Sequence, residues 1–254
     1  MTHDGGGHGR GSAPGDPPDA RRLAETLAET LRAPSPRESL RRLCESCLRI
    51  LPVSGISLSV SGSGADTHTT LCATDSVAAR LAEIQYTLGE GPSCQACSCV
   101  APVFVADLVN DPPARRWPLF TAEALRSGAH AVFSVPLGGG SAGLGTLDMY
   151  RRQPGPLSVR EERVALTVAD VATFALVALD RDASVTEEHM AWLADAEAGH
   201  EEVHQATGMI MVRLGVDIDE ALTLLRARAF AEGRTATELA RDIVNRRTDV
   251  TGND

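Results

Sequence analysis

The amino-acid sequence predicts an α+β fold: an antiparallel sheet with flanking helices, then a helical connector and a C-terminal three-helix bundle. Two observations predict it. Between residues 55 and 150, short β-type runs of apolar residues are separated by turns rich in Gly, Pro and Ser, which is typical of antiparallel strands. From residue 158 onwards, apolar residues recur at helical spacing behind recognisable N-caps. A length of 254 residues fits one large or two small domains.

The composition indicates a globular protein and argues against some functions. A hydrophobic content of 43% and a charged content of 23% are ordinary for a globular chain. The 24 basic residues, all Arg, and 34 acidic residues give a net charge of −10, which argues against non-specific coating of nucleic acid. Residues 1–19 are rich in Gly and Pro and lack the apolar stretch of a secretory signal peptide. We therefore expect a disordered tail and a cytoplasmic protein without a membrane span.

The N-terminal elements follow from local signals. Leucines at positions 23, 27 and 31 predict a helix within residues 20–37. Pro36 at a first helical position, with Glu38 three residues after Ser35, begins a second helix that ends at Pro52. The sheet region then predicts strands at 56–60, 67–73, 102–106, 130–137 and 144–150, and helices at 76–86 and 118–126.

The C-terminal third is predicted to be helical. Ser158 and Glu161 form a capping box that opens a long helix to Leu179. Residues 181–202 are either a helical connector, which pairs with another copy of itself, or a solvated linker. Within the bundle, 203–247, Asp217 and Thr235 cap the second and third helices, and 248–254 form a tail. Four alanines of the bundle are expected to be packing positions: Ala206, Ala221, Ala229 and Ala240.

The bundle carries a recognisable motif. The strings Gln-Ala-Thr-Gly-Met-Ile-Met-Val-Arg at 205–213 and Leu-Ala-Arg-Asp-Ile-Val at 239–244, with Leu-Arg at 225–226 between them, strongly resemble an ANTAR domain. The resemblance implies a three-helix RNA-binding module of bacterial antitermination regulators, which recognises paired hairpins in leader transcripts and usually acts as a dimer. It implies RNA contacts from five residues: Gln205, Thr207, Gly208, Arg213 and Arg226.

The sheet region carries a second motif. Leu-Gly-Glu-Gly-Pro at 88–92, Val-Phe-Ser-Val-Pro-Leu at 132–137 and Leu-Gly-Thr-Leu-Asp-Met-Tyr at 144–150 resemble a GAF domain of the type joined to ANTAR domains, over residues 38–180. GAF domains bind diverse small molecules on one face of the sheet, so the resemblance implies sensing without naming the signal or a cofactor. Candidate ligand-binding residues are Cys94, Cys97, His130 and Asp148. For His130 a half-exposed strand histidine is the favoured alternative, and Asp148 can equally be a solvent-facing or structural carboxylate.

The cysteines suggest several chemistries. The pairs Cys44/Cys47 and Cys94/Cys97 have the C-x-x-C spacing of a four-thiolate zinc site or a redox couple. Cys44 and Cys47 also lie in an apolar helical stripe, where buried thiols behave as small hydrophobic side chains, and this interpretation is favoured. No nucleophile, base and orienting group can be assembled from motif spacing, so no catalytic or metal residue is assigned.

Together these features favour a non-enzymatic regulator. The hypothesis is a homodimer in which the GAF domain senses a small molecule or redox state, and the ANTAR bundle binds leader RNA and suppresses transcription termination. Two alternatives remain open at this point. One is a thiol enzyme similar to GAF-fold free methionine sulfoxide reductases, using cysteines near the pocket. The other is a protein-interaction adaptor in which Thr207, standing where the family usually has Lys, has removed RNA binding.

Overall fold

A computed structural model of the chain describes residues 36–61, 68–138, 143–181 and 187–249. The predicted tail 1–19, the predicted helix around Leu23–Leu31 and the last five residues lie outside the described residues.

The centre of the fold is a five-stranded sheet in which all paired neighbours are antiparallel, as the sequence predicted. Its order is β2-β1-β5-β4-β3. The strands are β1 (Gly55–Ser61), β2 (His68–Ala73), β3 (Val103–Val105), β4 (Ala131–Leu137) and β5 (Gly145–Arg151). Asp148 of the central strand β5 is paired with Ser57 of β1 and Ser134 of β4, so the register aligns three polar residues across the sheet.

In the described part of the chain, five α-helices and one short 3₁₀ helix flank the sheet. They are α1 (Pro36–Ile50), α2 (Ser76–Leu88), α3 (Pro92–Cys99), the 3₁₀ helix (Pro112–Arg116), α4 (Pro118–Arg126) and α5 (Val159–Arg181). Helix α3 is not predicted by the sequence, because its eight residues contain no large apolar side chain from which a helical period can be recognised.

The two faces of the sheet are covered by different helices. Leu43 of α1 and Val168 of α5 pack with Phe133 and Leu147 against one face. On the other face of the sheet, Ile84 of α2 and Phe120 of α4 belong to a second apolar cluster. Side chains alternate along a strand, so Leu147 and Asp148 necessarily point to opposite faces. Cys44 and Cys47 are each 1% exposed in the first cluster, which confirms their assignment as buried core residues.

The C-terminal helices are α6 (Glu187–Leu214), α7 (Ile218–Ala231) and α8 (Ala236–Val244). Asp217 caps α7 through the Glu220 amide, and Thr235 forms a complete capping box with Glu238, as predicted. The four alanines predicted as packing positions are fully buried. Helix α6 runs without interruption from residue 187 through the position where the bundle was predicted to begin. None of the described helices is long and apolar enough to cross a membrane.

Candidate functional site

The turn between α2 and α3 organises one face of the sheet. Gly89 ends α2 in the left-handed conformation (φ 63°), which glycine adopts without strain. Glu90 accepts hydrogen bonds from two first-turn amides of α4, at 2.9 and 3.0 Å, and so caps that helix. Gly91 has a φ of 141°, which favours glycine, and a Cβ there would also collide with the buried side chain of Gln85. The turn therefore positions α2, α3 and α4 together.

A buried polar cluster lies beneath α3. The Asp148 carboxylate accepts hydrogen bonds from the hydroxyls of Ser134 (2.5 Å), Thr146 (2.8 Å) and Ser93 (3.1 Å). The Ser93 and Thr146 hydroxyls are also 2.6 Å apart. All four residues are buried. Three hydroxyl groups thus replace the water that an exposed carboxylate would bind.

Burial dominates the electrostatics of this cluster. It raises the pKa of Asp148, although the hydroxyl groups of Ser134, Thr146 and Ser93 act in the opposite direction by stabilising the ionised carboxylate. The backbone N–H of Ser93 donates to Oε1 of Gln85 at 2.7 Å, which ties the cluster to α2. A buried carboxyl group among rotatable hydroxyls can exchange its donors for those of a polar ligand.

The predicted ligand-binding cysteines lie on α3, on the same side of the sheet as this cluster. The Cys94 thiol is 3.7 Å from the carbonyl oxygen of Gln85. The Cys97 sulfur is 3.2 Å from the Ser61 hydroxyl and 3.5 Å from the Gly143 carbonyl oxygen. The structure thus brings Cys94, Cys97 and Asp148 to one region. Their binding of a ligand stays a prediction.

His130 is not brought to this region. It directly precedes β4, and its backbone pairs with Leu108 and Arg151. It lies four residues before Ser134, which places it roughly 13 Å along the strand from that hydroxyl. A shared role of His130 and Asp148 in binding one small ligand therefore has no geometric support.

A second thiol pair lies on the opposite face of the sheet. The sulfur atoms of Cys44 on α1 and Cys72 on β2 are 2.8 Å apart. The hydrogen bond with Cys72, together with burial, raises the pKa of Cys44 well above its ordinary value, and burial raises the pKa of Cys47 to about 12. Sequence reasoning missed this pairing, because the two cysteines are 28 positions apart in elements of different type.

The four-thiolate zinc site considered above is not formed. The sheet separates Cys44 and Cys47 from Cys94 and Cys97. Throughout the described part of the chain, no three His, Cys, Asp or Glu side chains are grouped so that they could hold a metal ion.

The predicted RNA-contacting residues of α6 differ in exposure. Gln205 and Arg213 are exposed, and Gly208 is half-buried. Thr207 is 4% exposed, and its hydroxyl donates to the Val203 carbonyl at 2.7 Å. Thr207 therefore faces the bundle interior, whereas Gln205 and Arg213 are accessible. RNA contact by these residues stays a prediction.

Arg226, the remaining predicted contact, faces another part of the same chain. Its guanidinium lies 5.1 Å from the centre of the Tyr86 ring on α2, within the range of a cation–π interaction. Beside it, the Thr87 hydroxyl accepts a 2.9 Å hydrogen bond from the backbone N–H of Ala236 at the start of α8. The C-terminal bundle therefore packs against α2.

Comparison with known families agrees with this division of the chain. A GAF domain model matches residues 33–177, which is more than half of the chain, and an ANTAR domain model matches residues 192–244. The chain belongs to the GAF- and ANTAR-domain proteins. The GAF domain contains the sheet and the Asp148 cluster, and the ANTAR domain contains α7, α8 and most of α6. This combination of a sensor domain with an RNA-binding regulatory domain fits a signal-responsive regulator.

Solved structures agree on the fold of the GAF domain. The GAF domain of a phosphoenolpyruvate-protein phosphotransferase from Coxiella burnetii is 16% identical with a TM-score of 0.51, covering 63% of this chain and 94% of that one. The corresponding domain from Acinetobacter is 12% identical with a TM-score of 0.52, covering 66% and 98%. Identities this low show a shared fold alone. No curated protein matches the chain.

Sequence reasoning found Asp148 but missed the hydroxyls that surround it, and it missed the α2 surface that meets the ANTAR domain. Thr146 had a usable signal, because it and Asp148 alternate with apolar residues along β5 and therefore share one face of the sheet. Ser93 and Ser134 had none, because they belong to α3 and β4, which only the fold brings next to Asp148. The α2 surface had no such signal, because Tyr86 and Thr87 end an ordinary amphipathic helix.

Proposed function

We propose that the protein is a homodimeric regulator whose ANTAR domain binds paired hairpins in leader RNA and thereby suppresses transcription termination. In this proposal, the GAF domain controls that binding in response to a small polar molecule or a thiol-modifying signal received around Asp148 and α3. The hydroxyl-lined carboxylate supports a ligand with hydrogen-bond donors, and the adjacent Cys94 and Cys97 support sensitivity to thiol chemistry.

The observation that carries the proposal is Gly208. It lies within α6, where a glycine costs the helix roughly 0.5–1 kcal/mol relative to alanine. Apart from its two chain neighbours and the adjacent backbone of α6, no atom of the described residues lies within 4 Å of the position that a Cβ would take. Gly208 therefore has no packing role among these residues, and the close approach of a partner's backbone explains it best.

The charge distribution supports RNA as that partner. Residues 203–247 contain seven Arg and six acidic residues, a local charge of +1 in a chain whose net charge is −10. Arg228, Arg234 and Arg241 are engaged in ion pairs within the protein. Arg213, at the exposed end of α6, makes no ion pair with any described residue. Its guanidinium is thus available for bidentate contact with a phosphate or a base edge.

The test is binding of the full chain to a two-hairpin leader transcript from its own operon, titrated across salt concentrations. Arg213→Ala should weaken binding by removing about one phosphate contact. The slope of log K against log salt concentration should therefore become less steep by about 0.7 to 0.9. Gly208→Ala should weaken binding while raising the free energy of unfolding by roughly 0.5–1 kcal/mol.

Arg115→Ala is the matched control, because Arg115 is an exposed arginine of the 3₁₀ helix on the GAF domain. It should leave affinity and salt slope unchanged. The RNA function is contradicted if the wild-type protein does not bind the transcript, or if Arg213→Ala and Arg115→Ala behave alike.

A further inference from the structure

Helix α2 of the GAF domain supplies part of the apolar core of the ANTAR domain. Tyr86 is only 3% exposed, and it belongs to the same buried cluster as Val203 of α6, Leu225 of α7 and Leu239 of α8. It does not belong to either core of the GAF domain. An aromatic ring of the sensor domain is thus buried among the residues of the regulatory domain, and separating the domains would expose it to water.

A buried hydrogen bond joins the same two surfaces. The N–H of Ala236 belongs to the first turn of α8, where backbone donors have no partner within the helix. The Thr87 hydroxyl of the GAF domain accepts it at 2.9 Å. Both residues are buried, at 4% and 0% exposure, so the bond is lost if the domains separate and is replaced only by water.

The contact also occupies Arg226, one of the five residues predicted to contact RNA. The Arg226 guanidinium lies 5.1 Å from the centre of the Tyr86 ring, and a Cβ on Gly89 would be 3.7 Å from its Nη1 atom. The end of α2 therefore covers the guanidinium. While the domains are docked, the part of the guanidinium that meets Tyr86 and Gly89 is closed to RNA, so an RNA site that needs the whole guanidinium must compete with α2.

We propose that the C-terminal end of α2, residues 86–89, is a docking surface that holds the ANTAR domain in a closed arrangement and competes with RNA for Arg226. The competition with RNA rests on the proposed function, whereas the docking does not. When only a fraction of the molecules is undocked, the apparent affinity for RNA is the affinity of the undocked state multiplied by that fraction. Weakening the docking surface therefore strengthens RNA binding without adding a contact to RNA.

Docking is tested first without RNA, by amide hydrogen exchange at Ala236 in the full chain. Tyr86→Ala removes the buried ring and should accelerate exchange at this amide about tenfold, which corresponds to about 1.4 kcal/mol of lost docking energy. Tyr86→Phe keeps the ring that faces Arg226 and should accelerate exchange less than Tyr86→Ala does. Arg226→Ala should accelerate exchange as well, because it removes the other partner of the ring.

The affinity for RNA then tests whether the docking surface, besides holding the ANTAR domain, also competes with RNA. Tyr86→Ala should bind the leader transcript about tenfold more tightly than the wild type, whereas Arg226→Ala should bind it more weakly. Thr87→Val, which keeps the side-chain volume and removes the acceptor of the Ala236 N–H, should also bind more tightly. It provides a second test in case Tyr86→Ala does not fold.

The outcomes distinguish the two hypotheses. Unchanged exchange at Ala236 in Tyr86→Ala overturns the docking surface, whatever happens with RNA. Accelerated exchange with unchanged RNA affinity in Tyr86→Ala and Thr87→Val overturns the competition. Accelerated exchange in a protein that binds no RNA in any form supports the docking surface and rejects the proposed function.

Discussion

At the scale of single residues, Asp148 shows how a polar group is held inside an apolar domain. Three hydroxyl donors compensate part of the cost of burying its carboxylate, yet burial still raises its pKa. The folded protein therefore binds a proton at Asp148 at a pH where the unfolded chain has already released it. The ordinary pKa of an aspartate is about 3.8, and the pKa of Asp148 in the folded protein is higher. The stability that the neutral carboxyl contributes is therefore present below pH 3.8 and is lost as the pH rises through the folded pKa.

Asp148→Asn removes this titration and should make the protein more stable than the wild type at neutral pH. The difference should shrink towards zero as the pH falls to 3.8, as measured by urea unfolding at a series of pH values. Asp107→Asn is the control of opposite sign. Hydrogen bonds from the Asn110 side chain and the Val109 amide lower the pKa of Asp107, so this change should destabilise at neutral pH. A loss of stability at neutral pH in Asp148→Asn would contradict the assigned cause.

At the scale of elements, one five-residue turn determines how three helices are placed. The stretch 88–92 ends α2 at Gly89, caps α4 through Glu90 and begins α3 at Pro92. Each residue type follows from a backbone requirement: a positive φ, an acceptor at a helix N-terminus, or a fixed φ at a first helical position. The turn therefore links the docking surface on α2 with the helix that covers Asp148.

Glu90→Ala leaves the first-turn amides of α4 without their acceptor and should lower the free energy of unfolding by about 1–2 kcal/mol. Glu90→Gln is the matched variant, because its side-chain carbonyl still accepts but carries no charge, and it should lose less. Urea unfolding of both variants measures the difference. Equal losses in the two variants would show that the charge of Glu90, rather than its hydrogen bonds, holds α4.

The elements also show why sequence reasoning succeeded where it did. The caps at Asp217 and Thr235 were predicted correctly, because a cap is a local interaction between residues three positions apart. Antiparallel pairing followed from short strands and tight turns. The Cys44/Cys72 contact and the cation–π contact of Arg226 with Tyr86 could not be predicted, because each depends on residues that only the tertiary fold brings together. Helix α3 was missed for a local reason, the lack of a large apolar side chain in its eight residues.

At the scale of the whole molecule, a short series of contacts connects the proposed sensor site with the proposed RNA surface. Asp148 accepts from the Ser93 hydroxyl, and the Ser93 amide donates to Gln85, which directly precedes Tyr86 on α2. A ligand that displaces Ser93 would therefore act on the helix that covers Arg226. To change a mostly docked population into a mostly undocked one, it must favour the undocked state by several kcal/mol, about 5 for a shift from 1:99 to 99:1.

If closure by α2 controls RNA binding, a covalent lock at this surface should abolish it reversibly. The Thr87 hydroxyl and the Ala236 backbone N–H are hydrogen-bonded at 2.9 Å, so the double variant Thr87→Cys with Ala236→Cys places two thiols near each other, and loss of both free thiols on oxidation verifies the lock before binding is measured. The oxidised protein should bind the leader transcript far more weakly than the reduced protein, and a reductant should restore binding. Thr87→Cys alone, treated identically, controls for the native cysteines. A locked protein that binds RNA as tightly as the reduced one would show that RNA does not require the two domains to separate.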